Sequence, residues 1–508
     1  MRPTDTAEPL TPWDEHNQTL WSHVHPEDWT DPPPEGRYNL VVLGAGTAGL
    51  IAAAGAAGLG AKVALIEKHM MGGDCLNTGC VPSKALIRAA RAAADVRDAA
   101  SFGVELSGEL PKVDFSKVME RMRRLRADIS HHDSAGRFRD LGVDVFLGAG
   151  TFVAQDAIEV NGTRLHFAKA VIATGARAFV PPIPGLAAAG FLTNESVFSL
   201  TDLPPRLGVI GAGPIGCELA QSFARFGAEV HLVELDHRVL PHEDPEASAL
   251  VHASLSRDGV QLHVAHELTR VQNSGDHPVL HLSGDEDQEV EVDAILLAIG
   301  RAANTEHLGL DAAGVKVHPK GIEVDDHLRT SNPRVFAAGD VAQPFHFTHA
   351  ADHTARIVIR NALFGGRQRL SALNMPRATY TAPEVAHVGW TVADLEGRGI
   401  EYRTFTQDFA SVDRCILDGE TEGFARVHIA ANSDRIFGAT VVGKNAGNLI
   451  SEVSVAMAGG MGLGSLASVI HPYPTQAEVF PKLGSQFMRT RLTPMVAKGM
   501  DAWLSFTR

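Results

Sequence analysis

The chain has 508 residues, 44% hydrophobic and 21% charged, the balance of a soluble globular protein of about three domains. Its net charge of −15 argues against nucleic acid or an anionic membrane as the main partner. No run of about 18 apolar residues occurs, so no transmembrane segment is expected, and four Cys (75, 80, 217 and 415) are too few for a disulfide scaffold and suit a reducing cytoplasm.

Residues 1–36 are polar and Pro-rich, carry Trp13, Trp21 and Trp29, and lack the apolar core of a secretory signal. They read as an extension lying over the surface. From Tyr38 an apolar strand runs into Gly44-Ala45-Gly46-Thr47-Ala48-Gly49, then an Ala-rich helix, a second strand and Glu67. That order is a dinucleotide-binding unit: glycines let the backbone approach a pyrophosphate, the helix N-terminus faces the phosphates, and the carboxylate accepts from ribose hydroxyls. The segment GGDCLNTGCVPSKAL (72–86) follows. Cys75 and Cys80 are spaced wrongly for a zinc knuckle, and no second pair completes four ligands. Two thiols this close, with Pro82 at a helix start, can close a redox disulfide, and a helix N-terminus would lower a thiol pKa. Two structural thiols are the alternative. Cys217 and Cys415 read as packing residues.

The unit recurs as RLGVIGAGPIGCELAQSFARFGAEVHLVEL (206–235), with Gly211, Gly213, Gly216 and Glu234. Glu67 stands 23 positions after Gly44, and Glu234 stands 23 after Gly211. Two matches with one spacing imply two bound dinucleotides. Glu234 would repel a 2′-phosphate and Leu235 offers no cation, which favours NADH over NADPH, although Arg238 is near in sequence. AVIATGA (170–176), ILLAIGRAANT (295–305) and RVFAAGD (334–340) read as buried strands ending in Gly or Asp. Past about residue 370, antiparallel strands mixed with helices are expected. The 24 His follow no metal-ligand pattern and read mostly as surface or loop residues. Near the end, HPYPTQAE (471–478) places Tyr473, His471 and Glu478 close together.

In this set of motifs the chain resembles the FAD-dependent pyridine nucleotide–disulfide oxidoreductases, from about Tyr38 onward. The wording around both cysteines and HPYPTQAE is most similar to proteins grouped with mercuric reductase, related to dihydrolipoyl dehydrogenase. The resemblance implies an α/β fold of two Rossmann-like FAD/NAD(P)-binding domains plus an α+β C-terminal dimerisation domain. It places the extension over 1–36, the FAD domain over 37–190 and 303–368, the NAD(P) domain over 191–302 and the dimerisation domain over 369–508. It implies that FAD is held by Gly44, Gly46, Gly49, Glu67, Gly73, Gly150, Thr174, Gly175 and Asp340, with His346, Phe347, Thr348 and His349 beside the flavin. Lys84 would stand near the flavin, paired with Glu218. NADH or NADPH would lie on Gly211, Gly213, Gly216, Glu218, Glu234 and Gly300. Cys80 would be the thiol nearer the flavin and Cys75 the one that meets the acceptor. A homodimer would send its C-terminal motif into the partner's site.

Disulfide reductases of this family carry His-Pro-Thr-x-x-Glu. Aligned on Pro474-Thr475 and Glu478, this chain has Tyr473 where the imidazole stands. A phenol with a pKa near 10 is a poor base but can donate to a thiolate or weakly ligate a metal. Mercuric reductases share that tyrosine. His471 lies about 6.5 Å further back along an extended chain and would need another path to substitute. The sequence departs from mercuric reductases in ending on MDAWLSFTR without a Cys pair, in having no Cys before Cys75, and in Asp74, an acid expected to raise the Cys75 pKa by repulsion, to meet a cationic substrate or to stay solvated. The expected activity is electron transfer from NAD(P)H through FAD and Cys75/Cys80 to a thiol-bound metal ion such as Hg(II), or another electrophile. Dihydrolipoyl dehydrogenase or another disulfide reductase, and a low-turnover flavoprotein redox sensor or complex subunit, are the alternatives.

Overall fold

A computed structural model describes residues 10–105, 108, 112–275 and 277–508. The chain forms two compact units. The first comprises Met1–Gly211, Ser222–Val233 and His266–Leu373, and the second Ala212–Gln221, Glu234–Ala265 and Asn374–Arg508.

The first unit is built on a seven-stranded sheet. Strands Val143–Leu147, Val63–Glu67, Arg37–Leu43, Thr163–Ile172 and Val335–Ala337 run parallel, in that order. Ala157–Val160 and Thr151–Ala154 add an antiparallel edge beside Thr163–Ile172. Val42 stands opposite Leu65 on one side and Val171 on the other. The central strands are near-continuous apolar runs because both faces are covered. Alternation sorts them: Leu40, Val42, Val63, Leu65 and Val171 enter one core, and Val41, Leu43, Ala64, Ile66 and Ile172 the other. Helices Thr47–Gly58 and Thr348–Phe364 add Ala52, Ala53, Ala56, Ala355 and Val358 to the first core, and a Cβ on Gly55 would stand 2.7 Å from Ile359 Cδ1. Small side chains let these two helices come that close.

Arg206–Ile210 pairs in parallel with Glu229–Glu234 and with Ala294–Leu297, so the repeated Gly turn again follows the central strand of a parallel set. Glu267–Ser274, His277–Ser283 and Gln288–Glu291 form a separate antiparallel sheet.

The extension is not merely laid over the surface. Residues 1–9 lie outside the described residues, but Glu15–Val24 is a helix with Leu20 and Val24 fully buried and Trp21 nearly so. Asp14 caps it by accepting from Asn17 N at 2.9 Å. Leu20, Trp21 and Val24 make one apolar stripe that enters the first core.

In the second unit, Arg377–Thr379, Glu384–Gly389, Ile436–Gly443, Phe424–Ala430 and Tyr402–Asp408 form an antiparallel sheet in that order. Ala386, Val388, Val427, Ala439 and Val441 pack on helices Ala446–Ala458 and Val479–Thr490 through Ile450, Val453, Phe480 and Leu483. Although His reads mostly as a surface or loop residue in this sequence, His387 and His428 are buried on this sheet.

Candidate active site

Gly44 takes φ +102°, and a Cβ there would stand 2.4 Å from Ala173 O. A Cβ on Gly49 would stand 1.8 Å from Gly44 O, and one on Gly73 would stand 2.6 Å from Gly46 Cα. The glycines thus strip the turn to bare backbone at the N-terminus of helix Thr47–Gly58 and bring the Gly-Gly pair before Cys75 against it. Glu67 is half-buried; its Oε2 accepts from Ala45 N at 2.7 Å and its Oε1 from His69 N at 2.9 Å. Burial raises its pKa against those amide bonds. The second turn repeats the first: Gly211 has φ +100°, Glu234 Oε2 accepts from Ala212 N at 2.7 Å, and Oε1 accepts from Asp236 N at 3.0 Å. Open backbone at a helix start, with a carboxylate fixed beside it, fits a dinucleotide in each case. Gly213 and Gly216 lie at the opening of helix Pro214–Phe226. Leu235 is exposed, and Arg238 donates to Pro241 O at 2.7 Å.

Cys75 lies on the short helix Gly73–Asn77 and Cys80 opens helix Cys80–Arg97; both are free thiols. The Cys75 pKa is raised, not lowered. Its hydrogen bond to Cys80 is the main cause, followed by burial and the charges of Cys80 and Asp133. Asp74 does not act as expected. Its carboxylate pairs with Arg301 and accepts from Thr78 Oγ1 at 3.2 Å. Arg301, which sequence reasoning missed, also donates to Ala176 O at 2.6 Å and lies 3.6 Å from Asp340. It therefore ties the cysteine helix to the cofactor candidate Asp340 and to Ala176, the residue after Gly175. Burial lowers the Arg301 pKa and raises that of Asp340. Asp133, also missed, faces the Gly-Gly turn, where a Cβ on Gly72 would stand 3.2 Å from its Oδ2.

Cys80 Sγ and Thr348 Oγ1 are 3.2 Å apart, which brings the cysteines to the start of helix Thr348–Phe364. Phe347 and His349 stack there, and His346 precedes them. Thr174 Oγ1 donates to Asn304 O at 2.7 Å, beside Gly175. Gly150 follows strand Val143–Leu147 and sits against Leu43 and Ile66, while Gly300 follows strand Ala294–Leu297. Lys84 lies one turn beyond Cys80 on the same helix. Glu218 is buried and accepts from Tyr380 N at 2.8 Å. Cys217 and Cys415 are buried, and burial raises both pKa values.

In the second unit Tyr473 is 71% exposed and its hydroxyl donates to Asp413 Oδ2 at 2.9 Å. That bond and the Asp413 charge raise the phenol pKa. His471 is committed elsewhere: Nε2 lies 2.8 Å from Glu452 Oε1 and Nδ1 lies 3.1 Å from Val469 O. Glu478 keeps a buried Oε2 with no hydrogen-bond partner among the described residues.

Residues 38–355 match the family model described as pyridine nucleotide-disulphide oxidoreductase, and 375–483 match its dimerisation domain. A mercuric reductase of Bacillus cereus is 34% identical over 87% of this chain and 70% of its own length. A dihydrolipoyl dehydrogenase of Chlamydia muridarum is 33% identical over 87% of this chain and 95% of its own. Among solved structures, a Cu(II) complex of the HOCl-induced flavoprotein disulfide reductase RclA from Escherichia coli is similar at TM-score 0.79. It is 27% identical over 89% of this chain and 100% of that one. LpdA from Mycobacterium tuberculosis is similar at TM-score 0.81, with 25% identity over 88% and 99%.

Proposed function

The chain belongs to the pyridine nucleotide–disulphide oxidoreductases, flavoprotein enzymes that use FAD and a pyridine nucleotide, and from that premise we propose that it reduces a thiol-bound soft metal ion such as Hg(II), with NADH as donor. FAD, when bound across Gly44, Gly46, Gly49, Glu67 and Asp340, supplies the two-electron relay between the nicotinamide and the cysteine pair. Glu234 receives the nucleotide ribose and repels a 2′-phosphate, Leu235 beside it offers that phosphate no cation, and Arg238 turns one guanidinium nitrogen to Pro241 O.

The observation that carries the metal reading is the proton economy of the thiols. The hydrogen bond to Cys80 and burial raise the Cys75 pKa, and His471, the imidazole of HPYPTQAE, is hydrogen-bonded to Glu452 and Val469 O. Opening an acceptor disulfide requires Cys75 as thiolate and a proton for the leaving sulfur, tasks suited to a free imidazole. A thiol-bound soft metal ion brings its own proton acceptors: as it exchanges onto Cys75 and Cys80, its two thiolate ligands take up the two cysteine protons and leave as thiols. Tyr473, its O–H given to Asp413, keeps a phenol oxygen that weakly ligates the ion during that exchange. In a homodimer built through the dimerisation domain, the partner subunit's Tyr473 meets Cys75. The exposure of Tyr473 and the unpartnered Oε2 of Glu478 favour a second chain over that surface. The RclA relative described as a Cu(II) complex adds a metal ion on a similar chain. No helix among the described residues is long and apolar enough to cross a membrane, and a count of only four Cys suits our placement of the enzyme in the cytoplasm.

Purified protein given NADH and Hg(II) in excess small thiol should oxidise the nucleotide in a metal-dependent way, and Cys75→Ser should abolish this. Lipoamide or glutathione disulfide in place of the metal should support less than about a tenth of that rate. Fast turnover of either disulfide with none on Hg(II) would overturn the metal reading in favour of a disulfide reductase.

A further inference from the structure

Helix Glu15–Val24 precedes the span matched by the family models, yet it is wired to the cysteine turn. Asn17, on the same face as Leu20, Trp21 and Val24, is fully buried. Its side-chain amide donates to Pro12 O at 2.7 Å, and its Oδ1 accepts from Arg126 Nη2 at 2.7 Å. The same guanidinium donates through Nη1 to Asn77 O at 2.7 Å. Asn77 ends the helix that carries Cys75, and its side chain donates to Met71 O and Gly73 O, each at 3.0 Å. At the other end of the extension helix, Val24 O accepts from Met71 N at 3.1 Å. The segment 71–77, which carries Cys75, is therefore fastened to the extension at both of its ends.

Arg126 is 4% exposed, and its acceptors among the described residues are two neutral oxygens, while its Nε has none. A buried cation met by so few acceptors holds both firmly, because losing either strands the charge. Burial lowers its pKa to about 10, which still leaves it charged at neutral pH.

We propose that Asn17 and Arg126 are positioning residues for the Cys75/Cys80 pair, through which the N-terminal extension holds helix Gly73–Asn77 in register with Cys80 and so sets how readily their disulfide forms. This rests on Cys75 and Cys80 being the redox pair. Oxidation by a disulfide reagent converts the two thiols to one S–S bond and the reagent to its dithiol, with both protons and both electrons passing to the reagent. The equilibrium constant rises with the effective concentration of one sulfur at the other. Freeing Asn77 O from its anchor lets the Cys75 helix wander and lowers that concentration.

The test equilibrates full-length flavin-loaded protein with mixtures of oxidised and reduced dithiothreitol, then counts free thiols at 75 and 80 by alkylation and peptide mass. Asn17→Ala should move the equilibrium about tenfold toward the thiols, or about 30 mV in midpoint potential. Asn17→Asp, which keeps an oxygen for Arg126, should stay within about twofold of the parent. Leu20→Ala, which loosens the same helix without touching the bridge, should lower Tm but hold the equilibrium within about twofold. If Asn17→Ala does not fold, Asn17→Ser is read the same way. An unchanged equilibrium in Asn17→Ala, or an equal shift in Leu20→Ala, would overturn the positioning role. A parent protein that forms no 75–80 disulfide at any ratio would sink the redox-pair reading itself, and this inference with it.

Discussion

Glu234 and Cys75 each make a claim that one substitution can check. Glu234 binds two backbone amides through its two oxygens, so replacing it by Gln removes the charge while leaving an oxygen to accept. Glu234→Gln should raise NADPH efficiency relative to NADH by about tenfold, read as the ratio of kcat/KM values, because repulsion of the 2′-phosphate is gone. Cys75 leads to a pH prediction. Its pKa lies above that of an ordinary thiol, so little thiolate exists at neutral pH. Alkylation of Cys75 in the reduced protein should therefore climb about tenfold per pH unit through neutrality and reach no plateau below about pH 9. A plateau at neutral pH, seen by peptide mass after iodoacetamide pulses, would contradict this. The residues that carry these claims were legible because they recur or are rare: two Gly turns with equally spaced acids, and two of only four cysteines. Arg301 was not legible. Its partner Asp74 lies 227 positions away, and only the fold brings the two together.

The antiparallel sheet of the second unit makes its prediction through two buried histidines. His387 Nδ1 lies 2.9 Å from Thr440 Oγ1 and its Nε2 lies 3.1 Å from Gly389 O, which fits a neutral ring accepting at one nitrogen and donating at the other. Burial depresses its pKa to about 3, and that of His428 to about 4. Folded pKa values below the unfolded value of about 6.5 mean that the unfolded chain binds the extra protons. The stability these rings contribute is complete above about pH 6.5 and is lost as pH falls toward 4 and then 3. Thermal melts should show Tm falling through that window, and His387→Gln should give a shallower fall from a lower neutral Tm. Sequence reading takes His mostly for surface or loop residues and does not single these two rings out. In a sheet a neutral imidazole can instead be fully paired. The extension helix was missed for a related reason: Leu20, Trp21 and Val24 are too few to stand out among polar neighbours, and the Asn17–Arg126 bridge spans 109 positions. The parallel strands were easy to read, since burial on both faces writes them as unbroken apolar runs.

For the whole molecule, the proposed function asks that Tyr473 reach Cys75, and local sequence is silent on which chain would bring it. The repeat revealed two nucleotide sites, and the dimerisation domain points to a homodimer. If each acceptor site takes Cys75 and Cys80 from one subunit and Tyr473 from its partner, defects placed on different chains must complement. Cys75→Ser alone should be inactive, and Tyr473→Phe should lose about tenfold or more in metal-dependent NADH oxidation. In a heterodimer isolated with two affinity tags, one chain carries Cys75→Ser and the other Tyr473→Phe. Both lesions then fall in one site, and the other site is wholly wild type. Such a heterodimer should recover about half the parental activity per flavin, because a C2 dimer holds two equivalent sites. A heterodimer no more active than half the Tyr473→Phe homodimer would mean that Tyr473 serves the cysteines of its own chain, and the exposed phenol would need another explanation.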